Sequence, residues 1–333
     1  DSFCEVDYSQ LGGTFSFILT VNFDLSLTAE RIEDDSDVGA YANFNQGTDL
    51  PCLISLGIIP DPSGAPFGSG CQELDGQSGE DNSSVNEPNW SEVTNDYYNL
   101  TMNWALGDWL LTSITGYFDR EEEFRGEYDA SQVEFLYILA EQEYEQFSQE
   151  IRANGDIGDN INLTAGVYYW DSEFKQFQES FDMWYYFGIG FGPEGGLWPG
   201  AVSQPLDGTG ENTAYAIFAS MDWQLSDRLM LNLGGRFTEE ERKLQTAVPG
   251  FLLNLPDGSQ VPIVPDGPQQ NFREDWTEFS PRVALTYDAS DDLMFFGSFS
   301  SGFKSGGFYA RTQDVNDINS YDPEYVDTCL LYT

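Results

Sequence analysis

Residues 213–244 read TAYAIFASMDWQLSDRLMLNLGGRFTEEERKL, and this stretch decides the fold. Apolar side chains recur at every second position on both sides of Ser226–Asp227, and most positions between them are small or polar. Because successive side chains of a strand point to opposite faces, the pattern predicts a hairpin of two strands, Thr213–Leu225 and Arg228–Leu244, with one apolar face. The apolar positions are Tyr215, Ile217, Ala219, Met221, Trp223, Leu225, Leu229, Leu231, Leu233 and Phe237.

The same alternation recurs in four further pairs of segments, each joined by a short turn. The predicted pairs are 14–22 with 25–32, 93–105 with 109–122, 144–154 with 161–176, and 275–288 with 293–304. The connections between pairs are long, polar and rich in Gly and Pro: about 36–91, 122–142, 178–211, 245–273 and 305–321.

Short periplasmic turns that alternate with long extracellular loops are typical of outer-membrane barrels. The sequence therefore predicts an all-β, antiparallel transmembrane β-barrel segment of about 10–11 strands, the last beginning after Pro323. Trp104, Trp109, Trp223 and Tyr287 lie beside the predicted short turns, at the depth that amphipathic rings favour in a membrane.

Charge and composition exclude several classes of function. The chain has 13 Lys+Arg against 57 Asp+Glu, a formal net charge of -44, and no histidine. Nucleic acids are bound through clustered Lys and Arg, so we expect no nucleic-acid partner. Without histidine, the commonest general base and metal ligand is missing. We therefore expect no enzyme activity, no metal site and no cofactor.

The cysteines indicate an oxidising compartment. Cys52 and Cys71 flank one Gly/Pro-rich segment, CLISLGIIPDPSGAPFGSGC, which predicts a disulfide within a loop. The alternative is a pair of free thiols. Cys4 and Cys329 have no evident partner in the sequence.

Two groups of residues are candidates for contact with a ligand. The loop Phe181–Gly200 (FDMWYYFGIGFGPEGGLWPG) is dense in aromatic rings that could stack on a sugar or an aromatic ligand. The alternative is a loop folded on itself, or rings that meet the membrane interface. Arg236 and Arg282 fall on the polar faces of their strands, where they could face the lumen and contact a ligand. The alternative is that both are structural ion-pair partners of acidic neighbours. The loop candidates are Trp184, Tyr185, Tyr186 and Trp198.

The segment SGFKSGGF (Ser301–Phe308) and the following YDPEYVDT (Tyr321–Thr328) resemble TonB-dependent outer-membrane receptors. Further segments resemble the same family, in a consistent order over roughly residues 10–328. The others include LTSITGYFDREEEF (Leu111–Phe124), LNLGGRFTEEERKL (Leu231–Leu244) and FSPRVALTYD (Phe279–Asp288). The ending CLLYT (329–333) departs from the family's Tyr-Glu-Leu-Gly pattern.

The resemblance implies a barrel that is 22-stranded in the family and encloses an N-terminal plug, a size class with a filled lumen. We expect residues 1–333 to be part of such a barrel domain, without the plug and the closing strands. The implied function is energy-coupled uptake of a scarce nutrient, such as a ferric siderophore, cobalamin or an oligosaccharide. The implied partners are outer-membrane lipid, the TonB complex through the plug, and a small-molecule or metal-chelate ligand. The alternatives are a passive porin and a secreted carbohydrate-binding or adhesive β-protein.

Overall fold

The computed structural model describes residues 7–37, 89–127, 137–181, 202–255, 257–309 and 318–332. In these ranges no helix is long and apolar enough to cross a membrane. The strands are β1 (Tyr8–Thr20), β2 (Phe23–Asp37), β3 (Trp90–Leu106), β4 (Trp109–Glu127), β5 (Tyr137–Ile157), β6 (Ile161–Phe181), β7 (Val202–Ser226), β8 (Leu229–Thr246), β9 (Phe251–Asn254), β10 (Gln260–Val264), β11 (Gln270–Ser290), β12 (Leu293–Lys304), β13 (Gly307–Phe308), β14 (Ser320–Tyr321) and β15 (Glu324–Tyr332).

One antiparallel sheet contains most of these strands, in the order β1-β2-β3-β4-β5-β6-β7-β8-β11-β12-β15. Every neighbour along this path is hydrogen-bonded, and the path ends at β1 and at β15, so the sheet is not closed. The all-β antiparallel prediction is confirmed, as are the five predicted hairpins and the strand after Pro323.

The predicted short turns are present and contain two or three residues each. Two residues connect β1 to β2, β3 to β4, β7 to β8 and β11 to β12, and three connect β5 to β6. Gly107, in the turn between β3 and β4, has a φ of 64°, which is costly for any residue with a Cβ. We call this end of the sheet the turn end, and the opposite end the loop end.

The predicted loop boundaries are wrong at the loop end, because the strands continue well into segments assigned to loops. The longest strand, β7, has 25 residues, whereas about 9–11 residues cross a bilayer. The strands remain hydrogen-bonded to one another beyond the apolar positions. Side chains on both faces of these extensions are solvated, so they can be polar or charged, and the apolar alternation that predicts a strand is missing. The short strands β9, β10, β13 and β14 also lie in predicted connections.

The apolar positions of neighbouring strands lie in register and form a continuous belt on one face. Val167, Ile217, Phe237 and Phe279 follow one another across four strands, and each is at least 46% exposed. We call this the apolar belt; its other members include Phe15, Leu27, Leu100, Trp104, Leu111, Tyr117, Phe147, Ile151, Leu163, Met221, Trp223, Leu231, Leu233, Val283, Leu285, Tyr287, Phe295, Phe299 and Leu331.

Polar side chains inside the belt bind one another. The Thr115 hydroxyl donates to Gln149 Oε1 at 2.7 Å, and Gln149 Nε2 donates to the Ser113 hydroxyl at 3.0 Å. Moving a polar group from water into hydrocarbon, where it can form no hydrogen bond, costs about 4–8 kcal/mol. The internal pairing is therefore what a lipid-facing surface requires.

The opposite face is polar and concave. The buried residues near the middle of the strands lie on this face and have small side chains: Thr112, Ser172, Ala214, Ala216, Thr238 and Ala284. Side chains crowd together on the inside of a curved sheet, so burial identifies this face as the inner one. The apolar belt thus lies on the convex side, as in a membrane barrel.

Candidate ligand-contact surface on the concave face

Three arginines on the concave face are paired with a glutamate two residues away on the same strand. Residues i and i+2 of a strand share a face, so each pair neutralises itself locally. The pairs are Arg120–Glu122 at 2.7 Å, Arg152–Glu150 at 3.0 Å and Arg242–Glu240 at 2.8 Å. These three arginines therefore contribute little net charge to the concave face.

Arg236 on β8 is an exception. Its guanidinium carbon lies 5.0 Å from the ring centroid of Tyr168 and 5.9 Å from that of Phe218, and its Nε donates to the Thr238 hydroxyl at 3.1 Å. Across the described ranges, no carboxylate lies within 4.0 Å of Arg236, and its two terminal nitrogens have no hydrogen-bond partner. The guanidinium is held in place by rings, and its outer edge is free.

The position of Phe218 depends on Gly166 on the neighbouring strand. A Cβ at Gly166 would lie 2.5 Å from the tip of the Phe218 ring, which therefore lies across β6 where a side chain would otherwise stand. This glycine is required for close approach of a ring. The result is an aromatic platform, Tyr168 and Phe218, beneath Arg236.

Arg282 on β11 is the second exception. It lies opposite Gly234 on β8, so Arg236 and Arg282 are diagonal neighbours on the concave face. Its side chain is exposed, and within the described part of the chain it makes no hydrogen bond or ion pair. Glu278, the nearest acidic position along β11, accepts a hydrogen bond from the Tyr325 hydroxyl instead. The structural ion pairs considered as an alternative for both arginines are absent among described residues.

At the loop end, the chain after β12 folds back onto the concave face. We call residues 305–308 (SGGF) the strap. The Ser305 hydroxyl donates to Glu240, and the Phe308 ring lies 6.1 Å from that of Phe272. Ser305, Gly306 and Gly307 are buried, and a Cβ at Gly306 would lie 2.7 Å from the Trp276 ring. The glycines thus allow the strap to lie flat on the wall.

The strap closes one side of a cavity of about 260 Å³. The lining combines apolar and aromatic side chains with polar side chains and two basic residues, Arg242 and Lys243, a mixture that is typical of a site for a small organic ligand. Sequence reasoning missed these residues, although the Gly306-Gly307 pair was a signal for close backbone approach. The lining includes Phe174, Leu206, Arg242, Leu244, Phe308 and Tyr321.

The connection between β8 and β11 forms a hairpin, β9–β10, that is bound to the loop end of β7. Ser203, which is fully buried, donates to Glu179 at 2.5 Å, and Asn254 donates to Ser203 at 3.2 Å. The hairpin turns at Gly258, with a φ of 82°. In this turn the Ser259 hydroxyl and N–H donate to Asp257 and hold the pKa of its carboxyl below the usual value.

The remaining predicted site residues lie outside the described residues: Trp184, Tyr185, Tyr186 and Trp198, together with Cys4, Cys52 and Cys71. Cys329 lies on β15 as an exposed free thiol. Among described residues, no group of three or more Cys, Asp or Glu could hold a metal ion.

Comparison with protein families gives one match, to the TonB dependent receptor-like β-barrel family, over residues 16–328. This match covers nearly the whole chain. The chain belongs to that family. The fold and the resemblance of the SGFKSGGF segment agree with this membership. No curated protein matches the chain.

Solved structures with the same fold include receptors that are named for siderophores. The ferric yersiniabactin uptake receptor FyuA from Yersinia pestis has a TM-score of 0.67 at 15% identity, over 97% of this chain and 42% of its own. The siderophore receptor PiuA from Acinetobacter baumannii has a TM-score of 0.62 at 11% identity, over 98% and 47%.

FpvA from P. aeruginosa, solved with heterologous pyoverdines, has a TM-score of 0.60 at 16% identity, over 99% of this chain and 39% of its own. At these identities the likeness shows the fold alone. This member of the TonB-dependent receptor family therefore spans less than half the length of the solved receptors that it resembles.

Proposed function

We propose that the chain is part of the barrel wall of an outer-membrane receptor that imports a scarce nutrient with energy delivered through TonB. A ferric siderophore is the first candidate class, and cobalamin or an oligosaccharide are others. The observation that carries the proposal is the apolar belt, which lies in register across the convex face while the concave face is polar. Family membership supports the same function.

The belt argues against a secreted sugar-binding or adhesive protein. Ile217 and Phe279 are each 61% exposed, and they lie near the middle of β7 and β11. In water, a continuous surface of such side chains needs a second layer to cover it. In the outer membrane, lipid supplies that cover, so the membrane location and the contact with lipid are part of this proposal.

The concave face supports passage of a bound ligand more than passive diffusion. The cavity beside the strap is lined in part by aromatic rings, which suits specific binding of a solute, whereas a porin needs a wide aqueous path. The aromatic loop candidates Trp184, Tyr185, Tyr186 and Trp198 are proposed to meet the ligand first, outside the membrane.

Uptake in whole cells tests the proposal. The gene encoding the complete protein is deleted in one strain, and TonB is inactivated in another. Accumulation of radiolabelled ferric siderophores, cobalamin and oligosaccharides is then measured. We expect both strains to lose uptake of the same compound. Loss in the deletion strain alone would indicate a passive porin. Recovery of the protein in the culture medium instead of the outer-membrane fraction would indicate the secreted alternative.

A further inference from the structure

The pairing between β11 and β12 ends well before the loop end of the sheet. It starts beside the short turn and stops at Arg282, which stands opposite Ser300, although β11 itself begins at Gln270. On its other side, β11 is paired with β8 without a break from Gln270 to Tyr287. Within the described part of the chain, the loop half of β11 is therefore paired with a strand on one side only.

Pro281 accounts for the place where this pairing ends. Alternate residues of an antiparallel strand direct their N–H and C=O groups to opposite neighbours. The Asp288 N–H donates to the carbonyl of Arg228, directly before β8, and the register has no irregularity, so the even-numbered residues of β11 bond to β8. The odd-numbered residues face β12, and the next of these after the ladder is Pro281, which has no N–H to donate. The proline thus ends the pairing with β12 and leaves the pairing with β8 intact.

Beyond the end of this ladder, the chain that follows β12 passes to the concave face and does not cover the edge of β11. The Ser305 hydroxyl of the strap donates to Glu240 on β8, so the strap crosses β11 on the inside. The Tyr325 hydroxyl, at the start of β15, donates to Glu278, a concave position of β11. These contacts join side chains, and the backbone edge of β11 stays open on the outside.

The result is a row of free backbone N–H groups on an exposed edge. They belong to the exposed residues Asn271, Arg273, Asp275, Thr277 and Phe279. Among the described residues, none of these N–H groups has a hydrogen-bond partner. Sheets usually cover or blunt such an edge, because it can pair with a strand of another chain. This edge is therefore competent to accept an additional strand.

Acidic side chains determine which partner suits this edge. Asp275 is exposed, stands opposite Glu241 on β8 and forms no ion pair with any described residue. Arg273 is already bound to Glu241. The whole chain, with a formal net charge of -44, attracts cations at long range and repels anions. A strand with basic side chains therefore complements the edge, whereas an acidic strand would place like charges opposite each other.

We propose that the edge of β11 from Asn271 to Phe279 is a docking site for an extended, positively charged peptide segment of another protein, which adds a strand to the sheet at the loop end. Main-chain hydrogen bonds to the free N–H groups supply affinity, and basic side chains beside Asp275 supply selectivity. None of the residues with a free N–H lines the cavity beside the strap. The site is thus separate from ligand passage and goes beyond the proposed uptake function.

Binding of a synthetic peptide to the purified complete receptor tests the site. The probe is a fluorescein-labelled peptide of about nine alternating threonine and lysine residues, enough to span the free edge. Its affinity is measured by fluorescence anisotropy at physiological salt. The charge-matched control is the same peptide with every backbone nitrogen methylated, which keeps the lysines but has no N–H to pair. We expect the methylated peptide, and a threonine–glutamate peptide of equal length, to bind at least about tenfold more weakly.

Thr277→Pro blocks the edge on the receptor itself. The nitrogen of residue 277 points away from β8, as that of Pro281 does, so this change removes one free N–H without breaking the ladder with β8. We expect it to weaken binding of the threonine–lysine peptide roughly fivefold to tenfold. The matched control is Thr277→Ala, which keeps the N–H and should bind the peptide as the wild type does.

Three outcomes overturn the site. Equal binding of the methylated peptide would show that charge alone attracts the probe, and equal binding of the threonine–glutamate peptide would show that the partner is not cationic. Wild-type affinity in Thr277→Pro would place the peptide elsewhere on the receptor. The peptide controls use the wild type, so the test stays decisive if Thr277→Pro does not fold. Uptake through TonB is a separate measurement, and its outcome does not alter this one.

Discussion

Asp119 on β4 and Glu145 on β5 stand directly opposite each other on the convex face, with no cationic partner among the described residues. They belong to a row that crosses eight strands at the loop side of the apolar belt. In order, the row is Arg31, Asp96, Asp119, Glu145, Glu173, Glu211, Lys243 and Arg273. Cations stand at both ends, where Arg31 binds Asp96 at 2.5 Å and Lys243 binds Glu211 at 2.9 Å. Glu173 binds Lys175 at 3.3 Å. Asp119 and Glu145 are the central pair without an ion pair among the described residues.

Replacing a central carboxylate should stabilise the protein. Like charges directly opposite on a sheet are destabilising, so Glu145→Gln is expected to add roughly 0.2–1 kcal/mol at low ionic strength. Salt screens exposed charges, with a Debye length of about 3 Å at 1 M, so the gain should vanish there. The measurement is the temperature at which the receptor loses its compact mobility in a gel, at low and high salt.

Glu211→Gln in the same row is the matched control. It removes the ion pair with Lys243, so it should leave stability unchanged or lower it slightly, since exposed pairs contribute about 0–1 kcal/mol. Equal stabilisation by both variants would show that total charge matters, not the register of the row.

The Trp109 ring lies over the backbone of Gly155 at the turn end, near the edge of the apolar belt. A Cβ at residue 155 would lie 2.5 Å from the indole carbon Cδ2. Gly155→Val should therefore displace the indole and cost about 1–3 kcal/mol, as overpacking usually does. The melting temperature of the receptor in detergent measures this cost.

The control for this change is Gly13→Ala on β1, where a new Cβ meets nothing closer than 3.9 Å. It should melt within a degree or two of the wild type. A Gly155→Val protein that melts with the Gly13→Ala protein would contradict the packing of Trp109 on the backbone.

The strap should detach when its glycine is enlarged. A Cβ at Gly306 would overlap the backbone of Tyr321 and lie 2.7 Å from Trp276, so Gly306→Val cannot keep the strap on the concave face. Trypsin cleaves after Lys304, an exposed residue directly before the strap. We expect faster cleavage at this bond in the variant than in the wild type. The rate is measured by mass spectrometry of the receptor in isolated outer membranes treated with trypsin.

Gly302→Val is the control, because it places a valine near Lys304 without disturbing the packing of the strap. No atom lies within 4 Å of a Cβ at residue 302, so this variant should be cleaved at the wild-type rate. Similar acceleration in both variants would mean that any valine near Lys304 loosens the segment.

The disulfide predicted between Cys52 and Cys71 is open to direct measurement. Peptide mapping without reduction should recover the two cysteine-containing peptides as one linked species, and reduction should separate them. A loop of this length closed by a disulfide is worth about 3 kcal/mol in the chain-entropy estimate. Labelling of both thiols in the unreduced receptor would contradict the bond.

The alternation of side chains was enough to predict the hairpins and the face that each residue occupies. The alternation places Tyr215, Ile217 and Phe237 on the apolar face and Arg236 on the polar one. This works because the strand period is two and the turns leave no freedom of register. The same rule fails at the loop end, where both faces are solvated and the alternation disappears.

Sequence reasoning also missed the contacts made across long separations. The cavity brings Phe174 and Leu244 together with Phe308, which follows on a segment that the pattern marked as a loop. The hairpin β9–β10 depends on Ser203 and Asn254, which are 51 residues apart. No local sequence pattern predicts such long-range contacts, because they depend on where the strap and the hairpin pack against the sheet.

The sequence by itself determined the antiparallel sheet, its apolar belt and its family, since each follows from local periodicity and short motifs. The glutamate beside Arg152 is also local, because Glu150 stands two residues away on the same strand, whereas Arg236 has Gly234 and Thr238 at these positions. Only the tertiary structure decided what lies around Arg236: the rings of Tyr168 and Phe218 come from two other strands. Interactions of a charge with its neighbours fall off over a few ångströms, so these contacts depend on the register between strands.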